Sequence, residues 1–193
     1  MVVQYFHLVK EIDHQVQALK QQYGEHPCPT DCYDCCRNTA TMAISAVEAQ
    51  HLFIGLKRLP GTIQQYILEK ANRTIDKVEQ KGYSEQRVLG AGIEAAKLVK
   101  GKKEGHCPML VGGACSVYDY RPVICRVWGY PINNSDDSQN IACCQKTFIG
   151  RREDLQPLPY ARYWSDCKQQ STNLDFNNHR TPNCYLVRHL LTS

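Results

Sequence analysis

No long hydrophobic run occurs in these 193 residues, and nothing approaches the ~20 consecutive apolar side chains a membrane-spanning helix requires. Glycine, at 12, is far too sparse for a collagen-like repeat, and no heptad pattern persists for a coiled coil. Charge of one sign is also weak. A net +4 and a pI near 8.5 fall short of a nucleic-acid footprint. The one basic run, Lys97, Lys100, Lys102 and Lys103, is closed by Glu104 and reads as a solvated helix end. The first fourteen residues carry charges and histidines without an apolar h-region, so no signal peptide is expected and the cytoplasm is the expected compartment. Neither nucleic acid nor membrane is an expected partner; an unidentified protein or small molecule is.

What the chain has in excess is cysteine, 11 in all. The hydrophobic share is 42% with them and falls to roughly 36% without them, modest for a self-sufficient core. An odd number cannot pair completely, and in a reducing compartment clustered cysteines usually mean metal or catalysis.

Spacing predicts a mainly α fold. Tyr5, Leu8, Val9, Ile12, Val16, Leu19 and Tyr23 form one stripe of a helix over 4–23. Ser45 and Glu48 spell a capping box ahead of a second helix ending near Pro60-Gly61. Thr62 is expected to cap a third, with Ile63, Ile67, Ala71, Ile75 and Val78 on its apolar side, and Ser84 to about Lys100 forms a fourth, weakened by Gly90 and Gly92. From 101 onward no helical period is expected until Asn183–Leu191. Without repeats or linkers, the chain reads as a single domain, 1–193: a compact helical scaffold with cysteine-rich irregular loops converging on a metal site. Residues 28–144 hold the cysteine region, and 150–193 form an extension packed on it.

The cysteines fall into two groups, Cys28, Cys32, Cys35 and Cys36, then Cys107, Cys115 and Cys125 followed by Cys143 and Cys144. Cys32-Tyr33-Asp34-Cys35 is a knuckle whose two thiolates can reach one metal. Adjacent pairs diverge in an extended backbone, so Cys35-Cys36 and Cys143-Cys144 suit a site with more than one metal. A redox CxxC reading fails because no strand-to-helix pattern precedes it. Cys167 and Cys184 stand alone and read as small buried hydrophobes. Arg121 and Arg126 are candidates to neutralise thiolate charge or hold an anionic cofactor. His26 and His106 flank the clusters, and Gly112-Gly113 permits a turn before Cys115.

Cys28-Pro29-Thr30-Asp31-Cys32-Tyr33-Asp34-Cys35-Cys36, Cys107-Pro108-Met109-Leu110, Cys115-Ser116-Val117-Tyr118 and Tyr120-Arg121-Pro122 through Cys125-Arg126 resemble the YkgJ family, a cysteine-cluster group associated with zinc or iron chelation. The resemblance covers about 28–144. It implies a ligand role for Cys28, Cys32, Cys35, Cys36, Cys107, Cys115 and Cys125, with Cys143 or Cys144 as the last. The chain departs from the pattern in three places: three residues separate the first two cysteines, Trp128 precedes Gly129-Tyr130-Pro131, and the final cysteine is doubled. Flagellin lysine N-methylases are similar in these motifs, which implies a second possibility, methyl transfer from S-adenosylmethionine, with Tyr118, Asp119, Arg121 and Trp128 lining a pocket. A third is a zinc-binding structural or metal-handling module. The first expectation remains a metal-cluster protein holding an iron–sulfur cluster, ahead of zinc, through seven to eight cysteines, because all-thiolate ligation selects both and paired cysteines with nearby arginines lean to iron–sulfur.

Overall fold

The structure, a computed structural model, describes residues 2–23, 33–38, 42–90, 106–133, 141–144, 146–147, 156–172 and 180–193. The fold is mainly α, with three two-stranded antiparallel pairs among the described residues. It sorts into two compact units: residues 1–32 with 121–170, and residues 33–120 with 171–193. None of the described helices is long and apolar enough to cross a membrane.

In the first unit, helix α1 (Val2–Tyr23) buries Tyr5, Leu8, Val9, Ile12 and Val16 of the stripe its spacing predicts, with Leu19 half-buried. It packs against a short helix over Val123–Val127, which starts after Pro122 and buries Val123, Arg126 and Val127. Arg126 is drawn inside by Asp13, whose two carboxylate oxygens accept from its Nη1 at 2.8 and 2.7 Å. Ile132–Asn133 pairs with Ile141–Ala142, and Leu158 adds a bridge to Ile132. A helix over Tyr160–Thr172 follows, where no helical period was expected; its last two residues are counted with the second unit. Its buried positions are Tyr163, Cys167 and Ser171, a stripe with the right four-residue step but no aliphatic residue to announce it.

The second unit is built on helix α2 (Ala46–Lys57), helix α3 (Gly61–Glu79) and the C-terminal helix (Asn183–Thr192), which packs on α3. The capping box at α2 forms as expected, with Glu48 Oε2 accepting from the Ser45 main-chain N–H at 3.0 Å. Thr62 does not cap α3. Pro60 occupies the cap position, and its carbonyl accepts from Ile63 and Gln64, so the helix begins at Gly61. Proline's fixed φ and extended ψ set the entry before Thr62 can act. Ile67, Ala71, Ile75 and Val78 are buried on α3, and Ile44, Leu52, Leu56, Val88, Met109, Tyr185 and Val187 join them in one core. The fourth helix is described over Glu85–Gly90; its expected continuation to Lys100 and the basic run lie outside the described residues.

Candidate metal centre

The second unit holds four of the expected ligands. Cys35 and Cys36 lie on a single 3₁₀ segment, Asp34–Asn38, closed by Cys36 N–H donating to Tyr33 O at 2.9 Å. The pair is therefore not in the extended backbone that would make its side chains diverge, and the two sulfurs stand 4.0 Å from each other, within reach of a weak S–H···S hydrogen bond. Arg37 lies over the Tyr33 ring at 4.6 Å and pairs with Asp34 at 3.8 Å, which fixes the segment's outer side. The Cys35 thiol is pulled down to about 6, chiefly by its hydrogen bond with Cys36 and secondarily by main-chain N–H groups. Burial and the Asp34 charge oppose that shift. Cys35 is thus a thiolate at neutral pH, the form that ligates metal.

Cys107 is fixed by its neighbours in space. Its main-chain N–H donates to Cys36 O at 2.6 Å, tying the two cysteine groups together. A turn follows, closed by Leu110 N–H on Cys107 O at 3.1 Å, and leads into the hairpin Leu110–Val111 with Ala114–Cys115. Gly112 and Gly113 make its two-residue loop with φ of +58° and +82°, values that favour glycine at both positions. Cys115 therefore sits opposite Leu110, half-buried, while Cys107 is buried.

Two polar side chains that the motifs did not flag converge on this place. Asn183 Nδ2 donates to Cys107 Sγ at 3.3 Å, and Asn183 is itself wholly buried. Lys70 Nζ donates to Leu110 O, on the turn that carries Cys107. Burial holds the Lys70 ammonium below its usual range, while Cys107 and Cys36 pull it back towards the charged form. Lys70 resembles an ordinary solvated helical lysine in sequence, and Asn183 an ordinary helix start. Only the pairing of Ala43 with Pro182, which seats Asn183 N–H on Met42 O at 2.8 Å, brings the amide inward.

The first unit holds Cys125, Cys143 and Cys144. Cys125 is exposed, and its carbonyl accepts from Arg121 Nε at 3.2 Å. Arg126 is engaged inside this unit, donating through Nε to Arg121 O at 3.0 Å and through Nη1 to Asp13. Cys143 Sγ lies 3.4 Å from Thr147 Oγ1, and that hydroxyl sits 2.6 Å from Gly129 O and 3.0 Å from Cys144 O. Tyr118 and Asp119 belong to the second unit, whereas Arg121 and Trp128 belong to the first. Cys28, Cys32 and His26 lie outside the described residues, and His106 is exposed. Cys167 and Cys184 are wholly buried, and burial pushes the Cys184 thiol up to about 12.

None of the described cysteines is in a disulfide. Among the described residues, no three His, Cys, Asp or Glu side chains are grouped so as to hold a metal ion. Comparison of the chain with protein-family models, curated proteins and solved structures gives no match. The resemblance to the YkgJ family therefore rests on the quoted residues alone. What the geometry provides is a partial donor set: Cys35, Cys36 and Cys107 on adjoining backbone, with Cys115 on the hairpin that follows.

Proposed function

We propose that the protein is a cysteine-ligated metal protein, holding an iron–sulfur cluster or, as the second choice, zinc. The observation that carries this reading is the main-chain hydrogen bond from Cys107 to Cys36, which joins two cysteine groups far apart in the chain. The donor chemistry fits a soft metal. Cys35 is a thiolate at neutral pH, Cys107 accepts an amide N–H at its sulfur, and Lys70 donates to the turn that carries Cys107. Cys28 and Cys32 complete the motif of the first group, and Cys115 extends the second. Thiolates repel one another until a metal draws them together, so the free energy of metal binding adds to that of folding. A reducing compartment such as the cytoplasm suits a site that needs its thiols unoxidised. When bound, an iron–sulfur cluster would supply electron transfer and zinc would supply a rigid cross-link.

Iron, zinc and acid-labile sulfide are quantified on protein purified without oxygen. Iron with sulfide in comparable amounts supports the cluster, stoichiometric zinc without sulfide supports the second choice, and neither metal refutes the reading.

A further inference from the structure

The Cys107 sulfur has a neighbour that folding alone does not explain. Asn183 is wholly buried, yet its Oδ1 takes no hydrogen bond among the described residues while its Nδ2 donates to Cys107 Sγ at 3.3 Å. A buried amide left half satisfied lowers stability, and leucine, of nearly the same shape, would fill the space without that loss. The buried amide donor is satisfied best when the sulfur it faces is a strong acceptor. A neutral thiol is a weak one, whereas a thiolate, bare or metal-bound, makes a charge-assisted bond.

Lys70 acts at the same place from another helix. Its Nζ donates to Leu110 O, and Leu110 N–H in turn closes the turn on Cys107 O. The ammonium thus both fixes the backbone that carries Cys107 and interacts electrostatically with Cys107 and Cys36. Tyr66, four residues earlier on α3, lies with its ring 5.7 Å from Nζ and narrows the directions the side chain can take.

We infer that Asn183 and Lys70 are positioning residues of the thiolate site, one donating to the Cys107 sulfur and the other holding the turn that carries it. The inference rests on the metal-binding reading and names how the site is tuned. N–H···S bonds and nearby positive charge stabilise a thiolate against its protonated form, which favours metal over proton at that sulfur, and in an iron–sulfur centre they would raise the reduction potential.

The test is titration of the reduced full chain with cobalt(II) alone, followed through the sulfur-to-cobalt charge-transfer absorption. Asn183→Leu and Lys70→Met are each expected to weaken cobalt binding about tenfold or more and to move the absorption to lower energy, because the sulfurs become more electron-rich. Lys70→Arg, which keeps the cation, is expected to restore both. Circular dichroism identifies any variant that fails to fold. Lys70 is only partly buried, so the Lys70→Met and Lys70→Arg pair carries the test even if Asn183→Leu does not fold. Wild-type affinity and band position in Lys70→Met overturn the inference alone. Absence of any sulfur-to-cobalt absorption in the wild type overturns the metal-binding reading and this inference with it.

Discussion

The ring of Tyr120 lies against the α-carbon of Gly55 so closely that a β-carbon there would stand 2.6 Å from the ring Cγ and 2.7 Å from Cδ2. Gly55 is inside α2, where alanine is the better helix former by about 1 kcal/mol. The contact outweighs that preference. Tyr120 is held from its other sides by Arg58, which donates to its hydroxyl, and by the His51 ring at a centroid distance of 5.0 Å.

Gly55→Ala is therefore expected to lower stability by about 1–3 kcal/mol, since the ring cannot retreat without losing Arg58 and His51. Chemical denaturation measures it. In the Tyr120→Ala background the same change should cost little or become favourable, and an equal cost in both backgrounds would show that the contact is not the cause.

Asp13 and Arg126 give a second prediction. The Arg126 side chain is 2% exposed and Asp13 is 47% exposed, so the carboxylate can hydrate without its partner but the guanidinium cannot. Asp13→Ala should cost about 1.5–3 kcal/mol, the range for hydrogen bonds to charged groups. Arg126→Met, which removes the buried charge instead of orphaning it, should cost less. If Arg126→Met is the more damaging, the guanidinium contributes beyond its pairing with Asp13.

The helices legible in the sequence were those whose buried side is aliphatic. Ile67, Ala71, Ile75 and Val78 mark α3 plainly, and Ser45 with Glu48 marks the start of α2. Tyr163, Cys167 and Ser171 bury a side of Tyr160–Thr172 that holds no Ile, Leu or Val, so an aliphatic period does not mark it. The candidate site divides in the same way. Cysteine spacing names Cys35, Cys36, Cys107 and Cys115, because ligands must be cysteines and must cluster. Lys70 and Asn183 act through tertiary approach, and nothing local distinguishes that lysine from any other on a helix.

Alkaline stability follows from Tyr163. Burial, aided by the Glu11 charge and opposed by Arg162, pushes its phenol from 10.0 up to about 12. The folded chain keeps a proton that the unfolded chain loses, so this contribution is complete below pH 10 and is lost as pH rises through about 12. Tyr185 and Cys184 are shifted the same way by burial and add to the loss. Denaturation midpoints across this range should fall with pH, and Tyr163→Phe should fall less steeply. It also starts lower at neutral pH, having lost the hydrogen bond to Gln15. Parallel curves for the two proteins would assign the alkaline loss to other groups.

Thiol labelling separates the site cysteines from the packing cysteines. Cys35, lowered to about 6, is exposed and ionised at neutral pH, whereas Cys184, raised to about 12, is wholly buried and neutral. Brief iodoacetamide treatment of the metal-free protein at neutral pH, read by peptide mass spectrometry, should label Cys35 first and leave Cys184 untouched until denaturant is added. Metal loading should then protect Cys35, Cys36 and Cys107 while changing nothing at Cys184. Cys35→Ser should lose metal affinity by a factor of about ten or more, since a neutral hydroxyl replaces a thiolate ligand. Cys184→Ala should keep the affinity and cost about 1 kcal/mol of stability through lost packing. Equal loss of metal in the two variants would contradict the division, because it would make the buried thiol as much a part of the site as the exposed one.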